Sequence, residues 1–274
     1  MSVIKAAALQ MTSSADIKEN LQMLEGLVRE AASAGAQFVA TPENSDQIRL
    51  PLSKKLESAP REEDHPGIPL AAALAKELGI WLLIGSFSVK LSEDKLANRS
   101  FLFSPQGETA ARYDKIHLFD VQLPGGETHK ESDVITPGNR AVVADMGGIG
   151  LGMSICYDLR FPYLYRDLAK NGADILAVPA AFTVQTGRAH WKSLLRARAI
   201  ETGSFVIAPG QTGEHENGRK TWGHSLIINP WGEILAEMDE KPGMIMADLN
   251  LSAVKRVRSS IPALQHDREY EMKE

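Results

Sequence analysis

The chain has 274 residues, 43% of them hydrophobic, with 30 Lys and Arg against 35 Asp and Glu for a formal charge of −5. A chain of this size buries roughly three quarters of its unfolded surface, and no run of one charge is long enough to track a phosphate backbone or an anionic membrane, so neither nucleic acid nor membrane is expected as a partner. The single cysteine excludes an intramolecular disulfide and any CxxC metal site; the N-terminal stretch MSVIKAAALQMTSSAD lacks a proper apolar leader and no later spanning segment follows, which leads us to expect a cytoplasmic protein, one domain over residues 1–274.

From Ala15 the apolar residues Ile17, Leu21, Leu24, Val28 and Ala31 recur at steps of three and four. This predicts an amphipathic helix, with Ser13 and Ser14 as candidate caps and Gly35 as its stop. In AQFVATPEN, the short apolar run Phe38, Val39, Ala40, ended by Pro42, predicts a buried strand. Leu50 to Pro66 has no clear period and reads as a surface loop, as does Leu123 to Pro137; either could line a pocket. ELGIWLLIGSF, at Glu77 to Phe87, gives a helix end, a glycine and a strand, and NRSFLFSPQGETAARYDK a hairpin about Pro-Gln-Gly. AVVADMGGIGLGMSIC gives a second hairpin about Gly147 and Gly148, after which Pro162 and Asn171-Gly172 frame a helix.

NGADILAVPAAF, at Asn171 to Phe182, and ETGSFVIAPGQ, at Glu201 to Gln211, restate the phrase AGAQFVATPEN of Ala34 to Asn44. Between them, Leu194, Leu195, Ala199 and Ile200 read as a core-facing stripe of a helix, with Arg196 and Arg198 in structural ion pairs. GHSLIINPWGEILAEM supplies the last hairpin. Helices alternating with strands and hairpins indicate an α/β fold with mixed sheets, and the phrase recurring in both halves suggests two related half-folds about a pseudo-dyad.

Several motifs are absent. GGIGLG lacks the spacing of a dinucleotide fingerprint, no Gly-Lys-Ser/Thr ends a phosphate loop, and there is no GxSxG elbow. The seven histidines show no ligand spacing, so no metal is expected. Cys156 falls at the carboxyl edge of a strand, before a turn into a helix, which is where open α/β sheets place their ligands. The Tyr157 amide beyond it is the candidate donor to an oxyanion. Glu43 occupies the corresponding edge of an earlier strand, and Lys115 follows the second strand of a hairpin. Taken singly, each also has an ordinary structural reading: a small buried thiol, a loop carboxylate, a snorkelling lysine. Asp158 and Arg160, just after the cysteine, read as partners in a buried turn.

Together, PEN at Glu43, YDKIHLFD at Lys115 and GMSICYDLRFP at Cys156 resemble, in order and spacing, the signature blocks of the nitrilase superfamily of carbon–nitrogen hydrolases. The likeness runs from the first strand to about Gln265. The stretches TGRAHWKSLLRARAIETGSFVIAPGQTGEHENGRKTWGHS and IPALQHDREY are most similar to the Nit branch and its deaminated glutathione amidases, with the ω-amidases close behind. The resemblance implies a four-layer α-β-β-α sandwich that associates into a homodimer or higher homo-oligomer, and a cofactor-free hydrolysis of a small linear amide. It makes Cys156 the nucleophile, Glu43 the base and acid, Lys115 the cation at the oxyanion beside the Tyr157 amide, and Glu131 in KESD a supporting carboxylate. Thr212 stands where relatives often carry a cysteine, which leaves this mechanism intact. An acidic substrate would need cations or N–H donors; Arg188 and His190 in TGRAHW are the candidates, together with Arg219-Lys220 in ENGRKTW. Other readings of the same chain are an ω-amidase, an N-carbamoyl amidase and, from another class, a catalytically idle scaffold.

Overall fold

The computed structural model describes residues 3–124, 126–216 and 218–273. In chain order the first half contains β1 (Val3–Gln10), α1 (Ile17–Ser33), β2 (Phe38–Ala40), α2 (Leu52–Ser58), α3 (Gly67–Leu78), β3 (Trp81–Lys90), β4 (Leu96–Phe103) and β5 (Thr109–Asp114). A small ribbon of β6 (Asp120–Gln122) and β7 (Thr128–Lys130) follows. The second half contains β8 (Val142–Asp145), β9 (Gly150–Met153), α4 (Pro162–Lys170), β10 (Ile175–Ala177), α5 (Val184–Thr202) and β11 (Phe205–Ala208). It closes with the ribbon β12 (Thr212–Glu214) and β13 (Lys220–Trp222), then β14 (Leu226–Ile228), β15 (Ile234–Glu237), β16 (Gly243–Asn250) and α6 (Ser252–Ser260).

Two six-stranded mixed sheets result, ordered β16-β1-β2-β3-β4-β5 and β8-β9-β10-β11-β14-β15. In each, the second, third and fourth strands are parallel and the other neighbours antiparallel. The same pairing pattern therefore occurs twice, as the repeated phrase suggests. Alternation along β1 sets the layers. Ile4, Ala6 and Ala8 enter a core shared with Leu151, Met153, Ile175 and Val206 of the second sheet, whereas Ala7 and Leu9 pack with Leu21, Leu24 and Val28 of α1 and Leu74 of α3. Leu164 and Leu168 of α4, with Trp191, Leu195 and Ala199 of α5, cover the outside of the second sheet. The architecture is the four-layer α-β-β-α sandwich.

Several local expectations change. The cap of α1 is Asp16, whose carboxylate accepts from the Glu19 amide at 3.0 Å; Ser13 and Ser14 lie too far upstream to reach that donor, and the Ser14 hydroxyl accepts from the Asp16 amide instead. On α5 the buried face steps through Trp191, Leu195 and Ala199, so Ile200, rotated by about 100°, is 54% exposed. Arg198 does pair with Glu201, but Arg196 donates to the Gly232 carbonyl. The stretch from Leu50 to Pro66 contains α2 and a 3₁₀ turn at Glu62–Asp64, because Leu52, Lys55, Leu56 and Ala59 share one helical face. Leu123 to Pro137 contains β7 and a 3₁₀ turn at Glu131–Asp133; Gly125 within it lies outside the described residues.

Candidate active site

The repeated strand-and-proline phrase places its three turns side by side. After β2, Thr41 and Pro42 lead into Glu43 and Asn44; after β10, Pro179 leads to Ala180 and Ala181; after β11, Pro209 leads to Gly210 and Gln211. The Ala181 amide donates to Glu43 Oε2 at 2.9 Å, and Gln211 Nε2 donates to the carbonyls of Glu43 and Asn44 at 3.0 and 3.2 Å. Asn44 sits at φ +57, a turn secured by Ser86, whose Oγ accepts from the Asn44 amide at 2.9 Å. Gly85 is required beside this turn. A Cβ there would lie 2.1 Å from the Thr41 carbonyl oxygen and 2.5 Å from Pro179 Cβ.

Lys115, one residue past β5, reaches Glu43 Oε1 at 2.9 Å and both carboxylate oxygens of Glu131 at 3.1 and 2.8 Å. Asn98 of β4 donates to the same two carboxylates, at 2.9 Å to Glu43 and 3.2 Å to Glu131. The Phe119 amide also holds Glu131, at 2.7 Å. Cys156 opens a 3₁₀ turn (Cys156–Arg160) at φ +51, its amide donating to Pro179 O at 2.9 Å. Its thiol lines the same cavity as the Glu43 carboxylate and Ala181, close enough for both to act on its ionisation. The Tyr157 amide follows, and no protein acceptor for it is found among the described residues.

The electrostatics follow from this cage. Glu43, Lys115 and Glu131 together carry one net negative charge, and a thiolate would add a second in a dry site. Burial pushes the Cys156 thiol well up, the Glu43 charge pushes it further, and Lys115 and the Ala181 amide pull against them. Burial also works to raise Glu43, but the Lys115 charge and hydrogen bonds from Lys115, Cys156 and Asn98 outweigh it and hold the carboxyl at about 2. Burial disfavours the Lys115 ammonium; Glu131 and Glu43 overcompensate and keep it charged. In the resting site, therefore, carboxylate, ammonium and neutral thiol coexist, and passing the thiol proton to Glu43 leaves the net charge of the cage unchanged.

These groups line a cavity of about 900 Å³ together with Leu52 and Lys55 of α2, Phe119, Tyr157, Phe182 and Arg219. The structure thus brings Glu43, Lys115, Glu131, Cys156 and Tyr157 together. Arg188 and His190 do not line the cavity, although Arg188 borders an adjoining pocket that shares Glu127, Thr183 and Arg219 with it. Only the first turn of α5 meets the cavity, through Thr183 and Thr186, while Arg188 packs over Trp222 and His190 pairs with Arg160 Nη1 at 3.2 Å, both exposed. Lys220 is paired with Glu214 at 3.0 Å. Arg160 is no partner of Asp158: it lies over the rings of Tyr157 and Phe182. Sequence reasoning passes over Asn98, Gln211 and Lys55. Of these only Lys55 leaves a signal, a lysine on the apolar face of its helix.

A family model described as carbon-nitrogen hydrolase matches residues 5–259. The deaminated glutathione amidase of Synechocystis sp. is 43% identical over 271 residues, 95% of this chain and 97% of its own. The crystal structure of the Caenorhabditis elegans NitFhit protein superimposes with a TM-score of 0.91 at 35% identity, over 98% of this chain and 66% of that one. A mutant amidase from Nesterenkonia sp., with the acetamide moiety of fluoroacetamide added covalently to its active-site cysteine, superimposes with a TM-score of 0.81 at 26% identity, over 97% of this chain and 94% of that one. With the blocks at Glu43, Lys115 and Cys156 inside the matched region, this chain belongs to the carbon–nitrogen hydrolase family.

Proposed function

We propose that the protein is a cysteine-dependent amidase whose substrate is deaminated glutathione, with Glu43, Lys115 and Cys156 as its catalytic residues and Glu131 in support. The observation that carries this reading is a buried thiol that lines one cavity with a carboxylate whose ammonium partner is shared with a second carboxylate. Glu43 takes the thiol proton as sulfur attacks the amide carbon, and the C=O electrons move onto oxygen. Lys115 and the Tyr157 amide stabilise that oxyanion. Collapse breaks the C–N bond, Glu43 returns the proton to nitrogen, and a thioester remains. Water, deprotonated by Glu43, attacks the thioester; the acid leaves and the thiol is restored.

The substrate assignment is supported by the Synechocystis relative. A panel of deaminated glutathione, α-ketoglutaramate, an N-carbamoyl amino acid and an aliphatic nitrile, read by ammonia or amine release with Cys156→Ala as blank, tests it. Deaminated glutathione should give the highest kcat/KM; preference for α-ketoglutaramate would reassign the enzyme as an ω-amidase, and silence on all four would revive the scaffold reading. We further propose a cytoplasmic homodimer. Its support is an apolar patch in which Ile200 abuts Gly232, the neighbour of exposed Trp231, and shares a groove with exposed Ile261. A monomer mass near 29.9 kDa by light scattering would refute the dimer.

A further inference from the structure

Lys55 is a buried cation for which the catalytic scheme has no use. It enters the cavity from α2, is only 6% exposed, and donates from Nζ to the neutral Oδ1 of Asn44 at 2.6 Å. Among the described residues no carboxylate lies within 4.0 Å of it. An ammonium buried without a counter-ion is costly, and such a group is retained where something else supplies the charge. Burial indeed weakens the Lys55 ammonium; the more distant charges of Asp46, Glu43 and Glu131 support it, and Arg219 opposes it.

Two positional facts say where the missing anion belongs. Asn44 is fixed by its left-handed backbone and by bonds to Ser86 and Gln211, so Lys55 is held one residue from Glu43. Arg219 lines the same cavity and donates from Nη2 to the carbonyl of Ala181 at 2.9 Å, the residue whose amide binds Glu43. Both cations therefore stand beside the reacting centre, and Lys115 is held there by Glu43 and Glu131. A carboxylate between them would be a few bonds from the attacked carbonyl. It would lie on the acyl part, which remains on Cys156 through both half-reactions and needs an anchor after the amine departs.

We propose that Lys55, with Arg219, binds a carboxylate on the acyl side of the substrate and so selects acidic amides, the half-amides of short dicarboxylic acids, over neutral ones. This rests on the amidase reading above, and the test separates the two. In the first arm, kcat/KM is measured for glutaramate and for the neutral glutaramide with wild type, Lys55→Met and Lys55→Arg. The ratio of acidic to neutral substrate should fall about 100-fold in Lys55→Met, chiefly through KM, and be largely kept in Lys55→Arg. An unchanged ratio overturns the proposal. In the second arm, glutarate is tested for protection of Cys156 against iodoacetamide, read by intact mass. Protection of wild type and Lys55→Arg but not of Lys55→Met is expected; equal protection of all three, or of none, overturns the proposal. Lysine-dependent protection in an enzyme that hydrolyses neither of these amides nor deaminated glutathione would sink the amidase reading and leave the anion site standing. Should Lys55→Met melt early, Lys55→Gln takes its place in both arms.

Discussion

Asp158→Asn is an isosteric change two residues from the nucleophile, and its cost can be worked from four bonds. Oδ2 accepts from the Ile155 amide at 2.8 Å and the Tyr113 hydroxyl at 2.6 Å. Oδ1 accepts from the His117 amide at 3.0 Å and His117 Nδ1 at 2.7 Å. Ile155 precedes Cys156, while Tyr113 and His117 flank Lys115, so this one carboxylate sets the spacing between nucleophile and lysine. Asparagine keeps one carbonyl oxygen, which serves two donors, and presents an NH₂ to the other two. The Tyr113 hydroxyl can rotate to accept, and the His117 ring can change tautomer, but a main-chain N–H can do neither. Whichever way the amide is turned, one main-chain N–H loses its acceptor, at about 1–3 kcal/mol, and the surviving bonds lose their charge assistance, at about 1 kcal/mol more. The expected loss is about 3 kcal/mol in urea unfolding, within what a folded protein tolerates, together with at least a tenfold fall in turnover, since a displacement of about 1 Å at the reacting atoms is enough. A loss below about 1 kcal/mol with unchanged turnover would refute the argument.

Gly85→Ala places its Cβ 2.1 Å from the Thr41 carbonyl oxygen and 2.4 Å from that of Pro42; moving the backbone that carries Glu43 should cost at least about 2 kcal/mol and depress turnover, and a variant as stable and active as wild type would show that the turn has slack. Glu43 is held at about 2 against an ordinary 4.5, so its ionisation stabilises the fold fully above pH 4.5 and that contribution is lost as pH falls toward 2. Lys115→Met, which removes the cation responsible, should raise the pH midpoint of acid unfolding; coincident midpoints would contradict this assignment. Glu43→Gln removes a charge that raises the thiol, so iodoacetamide should label Cys156 faster at fixed pH while amide turnover collapses, and slower labelling would mean that Glu43 promotes ionisation of the resting thiol.

The strands and hairpins that carry the site were legible because apolar runs bounded by Gly, Pro and Asn have few alternatives. The repeat phrase was legible too, and its meaning emerges in three dimensions: the residues after Pro42, Pro179 and Pro209 meet, so Ala181 and Gln211 hold Glu43 by a main-chain amide and a side chain that no local pattern marks. Asn98 was invisible for a similar reason. It lies within a strand, and its role depends on the register that sets the Lys115 amide on the Asn98 carbonyl. That Arg188 and His190 fall outside the cavity lining is not legible, because their spacing along the chain says nothing about which turn of a 19-residue helix meets the cavity. Lys55 was hidden by composition: a polar stretch rich in lysine and glutamate reads as loop until the helical face shared by Leu52, Leu56 and Ala59 is recognised.

The central claim is that the Cys156 thiol is the nucleophile of an amide hydrolysis and not a small packing group. The most direct measurement is kcat/KM of Cys156→Ala on deaminated glutathione, made on protein whose thermal unfolding has been compared with wild type. Loss of one sulfur at a cavity wall, where the residue is 8% exposed, should cost only about 1 kcal/mol of stability, whereas loss of the nucleophile should cost at least about 10³-fold in kcat/KM. A variant that melts with wild type and shows no turnover above the uncatalysed rate is the predicted result; one that retains turnover within about tenfold of wild type would contradict the account.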